Sequence, residues 1–486
     1  MDLLDRIDDW GRWAPQRLAQ RSGDRTLTYG ELRTRSDALA ARLFATLPDD
    51  ETPIVVVGHK EPEMLVAFVG CAKAGHPYVP VDVAMPAQRV ARTIELANAP
   101  LSLTAELVAS LAARSAPRPR RQRHPGSPHY IMFTSGSTGD PKGVVITAEC
   151  LDTFLDWMAF EQRFTPGGEV FLNQSTFSFD LSVMEVWTAL SAGGTIVSIA
   201  REEIDDARRL FPALARSGAT TWVSTPSFAQ LCLAERQFDH TMLPHLRRLL
   251  FCGEVLPPAV AMAVLERFPN AEVWNTYGPT EATVACSSIR LDRALVERYP
   301  ALPIGRPMRA GGMRVLDPDG EPVAEGERGE LVIVGPSVSP GYYRNPELTQ
   351  RAFFTLEGER AYRTGDRGHL RDDLFFCDGR LDRQIKLHGY RIELGDVEAH
   401  LCALPGVSDA VVIPELREST VIGLAAYVLP RDGPPHKESD AVREMRAQLA
   451  ERIPAYMVPR RIRFVSEFPM TPNGKIDRRH VANVAR

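Results

Sequence analysis

A polar loop between two apolar runs has the residue types that bind a polyphosphate. Residues 130–147 predict strand, loop and strand, because an apolar run opens the segment and a β-branched run closes it. Glycines in the loop let backbone N–H groups converge on one point, while hydroxyls and a lysine add donors and charge. The loop is not a P-loop, because Pro141 occupies the place of the second glycine and a strand rather than a helix follows. The alternative interpretation is a flexible Ser/Gly turn between two strands. The candidate ligands are Thr134, Ser135, Gly136, Ser137, Thr138, Gly139 and Lys142.

A second polar motif follows a predicted strand at residues 272–274. An aromatic residue at such a strand end can stack on a base, an asparagine can pair with an adenine amine, and a glutamate can hold Mg²⁺ against phosphates. A Gly-Pro turn with an adjacent aromatic is the alternative. The residues are Asn275, Thr276, Tyr277, Gly278, Pro279, Thr280 and Glu281.

Asp180 lies among aromatic and aliphatic residues, where an unpaired carboxylate is costly to bury. It is therefore a candidate for binding a cationic substrate group. The alternative is a helix start, with Asp180 as N-cap and Ser182 and Glu185 as a capping box. The residue pattern alone leaves both interpretations open.

The C-terminal region contains a Pro-Asn-Gly-Lys turn that ends at Lys475. Asn-Gly is a strong hairpin signal, and a lysine in such a turn is usually solvated.

Length and charge limit the possible functions. A chain of 486 residues implies two or more domains, and a net charge of −5 gives no general case for binding nucleic acid. The basic tract at 113–128 is interpreted as a solvated loop rather than a nucleic-acid arm. No signal peptide and no apolar run long enough to insert into a membrane are evident. Seven scattered cysteines without a C-x-x-C pair favour a cytoplasmic protein without a zinc site.

Strands alternating with helices in the N-terminal part predict an α/β fold with helix-flanked parallel sheets. A β-rich region begins near Leu302 and includes residues 313–317, 329–335 and 338–343. A small, mobile α+β domain is predicted at the C-terminus. The expected domains are 1–381 and 382–486.

Taken together, the phosphate-loop string, the 275–281 motif and the Lys475 turn resemble those of the adenylate-forming superfamily. This superfamily includes acyl-CoA synthetases, luciferases and peptide-synthetase adenylation domains. The resemblance extends over nearly the whole chain and is closest to the ligases that load D-alanine onto a carrier protein.

The resemblance implies ATP and Mg²⁺ as cofactors and assigns roles residue by residue. Thr134, Lys142, Glu281 and Lys475 would serve catalysis, with Glu281 binding the metal and Lys475 contacting both carboxylate and phosphate. Asp366 would bind the ribose, Arg380 the ribose or phosphate, and Asp382 would be the hinge. The loop at 388–391 would line a pantetheine tunnel. Asp180 would pair with the substrate ammonium, and the side-chain pocket would comprise Leu181, Met184, Cys252, Val284 and Ala285.

The expected function is ATP-dependent activation of a small amino acid, with D-alanine as the leading candidate, and its transfer to the phosphopantetheine thiol of a separate carrier protein. Lipoteichoic acid biosynthesis is the pathway this would serve. Two alternatives stay open. One is a stand-alone adenylation enzyme for another small amino acid, including L forms, in natural-product biosynthesis. The other is a non-catalytic nucleotide-binding homologue, which would not support amino-acid-dependent ATP–pyrophosphate exchange.

Overall fold

The computed structural model describes residues 2–47, 51–113, 124–136, 139–417, 420–431, 433, 435–469, 476, 478 and 480–481. Three residues expected to contact phosphate, Ser137, Thr138 and Lys475, lie outside the described residues, as does most of the basic tract. No helix in these ranges has the length and apolarity needed to cross a membrane.

The helices, numbered in chain order, are α1 (Leu3–Trp13), α2 (Tyr29–Thr46), α3 (Pro62–Ala74), α4 (Ala87–Ala97), α5 (Ala105–Leu111), α6 (Ala148–Gln162), α7 (Leu181–Ala192), α8 (Arg201–Ile204), α9 (Ala207–Ser217), α10 (Pro226–Leu233), α11 (Pro258–Arg267), α12 (Arg293–Arg298), α13 (Pro346–Ala352), α14 (Leu394–Cys402) and α15 (Glu438–Ala450). Thr28 and Glu31 form a capping box that starts α2.

The strands are β1 (Leu18–Ser22), β2 (Arg25–Thr28), β3 (Ile54–Gly58), β4 (Tyr78–Asp82), β5 (Ser102–Thr104), β6 (Pro128–Thr134), β7 (Lys142–Thr147), β8 (Val170–Asn173), β9 (Thr195–Ser198), β10 (Thr221–Ser224), β11 (Arg248–Phe251), β12 (Glu272–Tyr277), β13 (Ser287–Leu291), β14 (Arg306–Pro307), β15 (Gly312–Leu316), β16 (Gly329–Val334), β17 (Phe353–Leu356), β18 (Glu359–Arg371), β19 (Leu374–Arg380), β20 (Gln384–Leu387), β21 (Tyr390–Glu393), β22 (Val407–Arg417), β23 (Thr420–Pro430) and β24 (Arg461–Phe464).

Two compact units are distinguished within the described residues. The first comprises Met1–Asp82, Ala97–Phe133 and Gly143–Leu381, and the second comprises Val83–Leu96, Thr134–Lys142 and Asp382–Arg486. The division of the chain into domains at 381 and 382 remains a proposal.

The main sheet of the first unit has the order β14-β13-β12-β11-β10-β8-β9-β1-β2. Strands β8, β10, β11 and β12 run parallel to one another, so their carboxyl ends share one edge. Another sheet has the order β5-β3-β4-β6-β7. Apolar strands such as β3 are almost fully buried, as expected where helices cover both faces of a parallel sheet.

The β-rich part of the first unit has the order β15-β16-β18-β17, with β19 paired to β18. The prediction of a strand over residues 338–343 is wrong. This segment is irregular, with one isolated bridge between Val144 and Tyr342. The reason is that its backbone groups bond to β7 and to Glu281 instead of extending a ladder.

The C-terminal part of the second unit has its own core. A hairpin of β20 and β21 precedes α14, and β22, β23 and β24 form a sheet. Leu401, Val412 and Val428 are among the buried residues that join these elements. The predicted fold class is confirmed: α/β with helix-flanked sheets, a β-rich subdomain and a small α+β C-terminal region.

Candidate active site

The carboxyl edge of the main sheet brings the predicted substrate residues of the first unit together. Asp180 follows β8, Cys252 comes directly after β11, and the 275–281 motif includes the last residues of β12 and the turn after it. Because β8, β10, β11 and β12 are parallel, their following turns open at the same edge. Ligands bind at this position in open α/β sheets.

Tyr277, Asp366 and Arg380 form a hydrogen-bonded group. The Tyr277 hydroxyl donates to Asp366 Oδ2 over 2.5 Å, and Arg380 Nη1 donates to Asp366 Oδ1 over 2.8 Å. Burial, with the nearby charge of Asp366, raises the pKa of Tyr277 well above its usual value, so its hydroxyl stays protonated as a donor. The group therefore fixes an aromatic face beside a carboxylate, an arrangement that suits a nucleoside.

Asp180 is bonded to the neighbouring motif rather than to its own helix. It occupies the N-cap position of α7 but makes no side-chain capping hydrogen bond. Its Oδ2 accepts from Thr280 Oγ1 over 2.6 Å, and the residue is almost fully buried. A buried carboxylate with this orientation can bind a substrate cation.

The capping-box alternative is wrong. Ser182 Oγ donates to the carbonyl of Phe179 over 2.7 Å instead of accepting from the helix. Glu185 is fully buried and bonds to Asn173, and burial raises the pKa of its carboxyl above the usual range. Neither side chain caps the helix, so the capping box does not explain the position of Asp180.

The predicted side-chain pocket is apolar and closely packed. Cys252 Sγ lies 3.8 Å from the carbonyl oxygen of Val284, and both residues are buried. Leu181, Met184 and Ala285 belong to the same buried cluster. Thr283 and Val284 have φ values of 61° and 70°, which are sterically unfavourable for β-branched residues. Such backbone strain concentrates at functional sites, and here it occurs at Val284, whose carbonyl Cys252 contacts.

The other residues of the motif support its shape. Asn275 Nδ2 donates to the carbonyl of Pro303 over 2.8 Å, which fixes the plane of the amide. The amide oxygen of Asn275 is an acceptor of the kind that an adenine amine requires. Thr276 Oγ1 donates to the carbonyl of Phe251 over 2.8 Å and so holds β12 against β11. At Gly278 a Cβ would lie 2.5 Å from Ala285 Cα, so only glycine fits before Pro279.

The environment of Glu281 is compatible with a role as a Mg²⁺ ligand. Its carboxylate is fully buried, and Oε1 accepts from the Tyr342 hydroxyl over 2.7 Å. No cluster of three or more potential metal-ligating side chains occurs in the described ranges. A single carboxylate suits Mg²⁺ bound mainly through substrate phosphates, since Mg²⁺ rarely uses an all-protein cage.

The described part of the phosphate loop belongs to the second unit. Thr134 Oγ1 is buried and has no hydrogen-bond partner among the described residues, so it is a candidate donor to a phosphate oxygen. Ser135 Oγ donates to the carbonyl of Arg391 over 2.6 Å. A Cβ on Gly136 would lie 2.2 Å from the Asp140 carbonyl oxygen, so the loop closes tightly there. Gly139 has a φ of 94°, and Lys142 begins β7.

Charged residues that the sequence did not single out flank this loop. Arg92 forms two hydrogen bonds of 2.7 Å with the Asp140 carboxylate, which lowers the pKa of Asp140 below its usual value. Arg89 Nη1 lies 3.5 Å from Oδ2 of the fully buried Asp396.

Asp382, the predicted hinge residue, makes a contact within its own turn: its Oδ1 accepts from the backbone N–H of Gln384 over 3.0 Å. This is a local turn contact, and the hinge role of Asp382 stays a prediction.

Sequence reasoning missed the partners of the predicted residues. Tyr342 bonds to Glu281 across 61 positions, and Thr280 bonds to Asp180 across 100 positions. Residues 338–343 carry a visible signal, since Pro-Gly-Tyr-Tyr breaks the strand pattern.

Comparison with known proteins identifies related families and structures. The AMP-binding enzyme family model matches residues 7–343, and the AMP-binding enzyme C-terminal domain model matches residues 396–475. A D-alanine–D-alanyl carrier protein ligase from Bacillus cytotoxicus is 44% identical, covering 99% of this chain and 98% of that protein. One from Bacillus cereus is 45% identical with the same coverage.

Solved structures share the fold at lower identity. The adenylation domain AlmE of Vibrio cholerae, in complex with glycyl-adenosine-5′-phosphate, gives a TM-score of 0.83 at 21% identity and covers 100% of this chain and 97% of that one. An artificially fused adenylation–carrier didomain from Klebsiella oxytoca gives 0.82 at 23% identity, covering 95% and 93%. At these identities the likeness supports the fold alone.

Proposed function

This chain belongs to the AMP-binding enzyme family, and we propose that it activates D-alanine with ATP and transfers the alanyl group to the phosphopantetheine thiol of a separate carrier protein. The relatives named as D-alanine–D-alanyl carrier protein ligases match over almost their whole length, which supports this choice within the family. The proposal includes a cytoplasmic location, in keeping with the cysteine pattern.

The observation that carries the proposal is the orientation of Asp180. Its carboxylate bonds to Thr280 of the nucleotide motif and not to its own helix. An amino acid whose ammonium pairs with Asp180 would thus have its carboxylate close to a nucleotide held by the same motif. Fatty or aryl acids have no cation that would compensate this buried charge.

In the first half-reaction, the amino-acid carboxylate attacks the α-phosphorus of ATP and pyrophosphate leaves. The protein's main tasks are alignment and neutralisation of negative charge. Asp366 and Arg380 would hold the ribose, Tyr277 would stack on adenine, and Thr134, Lys142 and Lys475 would bind phosphate oxygens. Glu281 would hold Mg²⁺, which supplies charge neutralisation on the phosphates when bound.

In the second half-reaction, the carrier thiol attacks the alanyl carbonyl carbon, and AMP leaves with its phosphate. The C-terminal domain would rotate about Asp382, which removes Lys475 and brings in the 388–391 loop. The thioester forms as the mixed anhydride bond breaks.

Replacing Cys252 should weaken the discrimination between enantiomers. With the ammonium on Asp180 and the carboxylate directed at phosphorus, D- and L-alanine differ only in the direction of the methyl group. A thiol in the L-methyl direction excludes L-alanine, and one methyl is worth about 1–3 kcal/mol. Cys252→Ala should therefore raise kcat/KM for L-alanine about 10-fold or more in pyrophosphate exchange and largely spare D-alanine.

Cys286→Ala is the matched control, since Cys286 is also a buried thiol in this cluster, with Sγ 3.6 Å from the carbonyl oxygen of Tyr277. It should leave the ratio of D to L activity unchanged. An unaltered ratio in Cys252→Ala would remove the role assigned to that thiol.

Amino-acid-dependent ATP–pyrophosphate exchange with a panel of D- and L-amino acids tests the function. Exchange that peaks with D-alanine supports it. If only another small amino acid supports exchange, the protein is an adenylating enzyme with a different substrate. If no amino acid supports exchange, a non-catalytic homologue is favoured.

A further inference from the structure

Residues 338–343 connect the strand after the phosphate loop to the motif at the end of β12. The backbone N–H of Val145 donates to the carbonyl of Gly341 over 3.1 Å, and that of Tyr343 donates to the carbonyl of Gly143 over 2.7 Å. Ser339 Oγ also donates to the carbonyl of Val145 over 2.6 Å. The segment is thus fixed along β7 at several points.

The same segment holds Glu281 by both its backbone and its side chain. The backbone N–H of Ser339 donates to the carbonyl of Glu281 over 2.9 Å. The Tyr342 hydroxyl donates to Glu281 Oε1 over 2.7 Å. Glu281 is fully buried and Tyr342 nearly so, and the Tyr342 ring packs edge-on against Phe353 with centroids 5.3 Å apart.

We propose that Tyr342 is a positioning residue that sets the orientation of the Glu281 carboxylate for the divalent cation bound with the nucleotide. The inference rests on the proposed function of Glu281 as the metal-binding carboxylate. Tyr342 would not touch the cation; it acts through the hydrogen bond to Oε1.

The physical reason lies in the stiffness of the donor. A glutamate carboxylate rotates about its last torsion in a broad well, so an isolated one samples many orientations. A tyrosine ring packed in the core has few accessible orientations, and its hydroxyl donates a charge-assisted hydrogen bond to the carboxylate. Partners of this kind orient metal-binding carboxylates, and their loss lowers metal affinity about 10- to 100-fold.

The geometry also accounts for the irregular backbone of the segment. A regular strand over 338–343 would continue a ladder and would not direct both the Ser339 N–H and the Tyr342 hydroxyl to one residue. The turn at residues 335–338 and the bridge between Val144 and Tyr342 let the segment contact β7 and Glu281 together. Through this segment, the strand that leaves the phosphate loop is connected to the carboxylate.

Tyr342→Phe removes the hydroxyl and keeps the ring that packs on Phe353. Calorimetry would compare binding of ATP in excess Mg²⁺, ATP in EDTA and AMP in EDTA. We expect the gain in ATP affinity from Mg²⁺ to fall about 10-fold or more, with metal-free ATP and AMP affinities unchanged. Tyr343→Phe, which removes a hydroxyl from the adjacent tyrosine of the same segment, should preserve the gain.

Glu281→Gln separates failure of the inference from failure of the metal assignment. If Glu281→Gln abolishes the Mg²⁺-dependent gain and Tyr342→Phe keeps it, Glu281 binds the metal without needing Tyr342, and the inference is overturned. If Glu281→Gln also keeps the gain, the metal assignment fails and the inference with it. An equal loss of metal-free and Mg²⁺-loaded binding in Tyr342→Phe would indicate a structural role only, which also overturns the inference.

Discussion

Asp180→Asn should lower kcat/KM for the amino acid in pyrophosphate exchange by about two to three orders of magnitude. The side chain keeps its size but loses the charge that would compensate the substrate ammonium in a buried site. Breaking one partner of a buried ion pair costs about 3–5 kcal/mol, because the remaining charge stays desolvated. ATP affinity measured without amino acid should change little, since the Tyr277–Asp366–Arg380 group is retained.

Thr280→Val provides a graded control for this prediction. It removes the 2.6 Å hydrogen bond to Asp180 but keeps the carboxylate charge. A hydrogen bond to a charged group is worth about 1.5–3 kcal/mol, so the loss should be smaller than in Asp180→Asn. Equal losses of ATP and amino-acid affinity in Asp180→Asn would contradict a role in substrate binding and would point to a structural one.

Lys475→Ala should reduce pyrophosphate exchange about 10²- to 10³-fold, because it removes a positive charge from the developing negative charge at phosphorus. This expectation rests on the resemblance of the Asn-Gly-Lys turn to that of the adenylate-forming superfamily, because Lys475 lies outside the described residues. Transfer to the carrier from supplied alanyl adenylate should survive, because the lysine is proposed to act in adenylation alone.

Lys437→Ala is the matched control for the lysine prediction. Lys437 is exposed at the start of α15 and makes no side-chain capping bond. Both substitutions remove one positive charge from the C-terminal region. If each lowers pyrophosphate exchange only slightly, Lys475 is an ordinary turn residue. Loss of both half-reactions in Lys475→Ala would also argue against a step-specific role.

Local signals in the sequence predicted the elements that carry the site. The strand, loop and strand around the phosphate loop are observed as β6 and β7, because apolar runs and glycines encode that order directly. Residues 272–274 were predicted as a strand, which is observed as β12 and extends to Tyr277. Asp180 was recognisable because a carboxylate in an apolar context demands a partner.

The partners themselves were not predictable. Asp180 had two interpretations, and the choice depends on Thr280, which lies 100 positions away and reaches it only through the parallel order of the strands. The Pro-Gly pair in residues 338–343 signals a break in the strand, yet the bonds of this segment to Gly143, Val145 and Glu281 come from tertiary packing. Periodicity describes which face of an element is apolar and does not identify which side chain will meet a given carboxylate.

Pyrophosphate exchange of the unaltered protein with D-alanine and L-alanine tests the assignment of D-alanine as substrate most directly. We expect exchange that saturates with either enantiomer, with a kcat/KM about 10- to 100-fold higher for D-alanine than for L-alanine, as one methyl group allows. A preference for L-alanine, or no exchange with either enantiomer, would contradict the assignment of D-alanine as substrate.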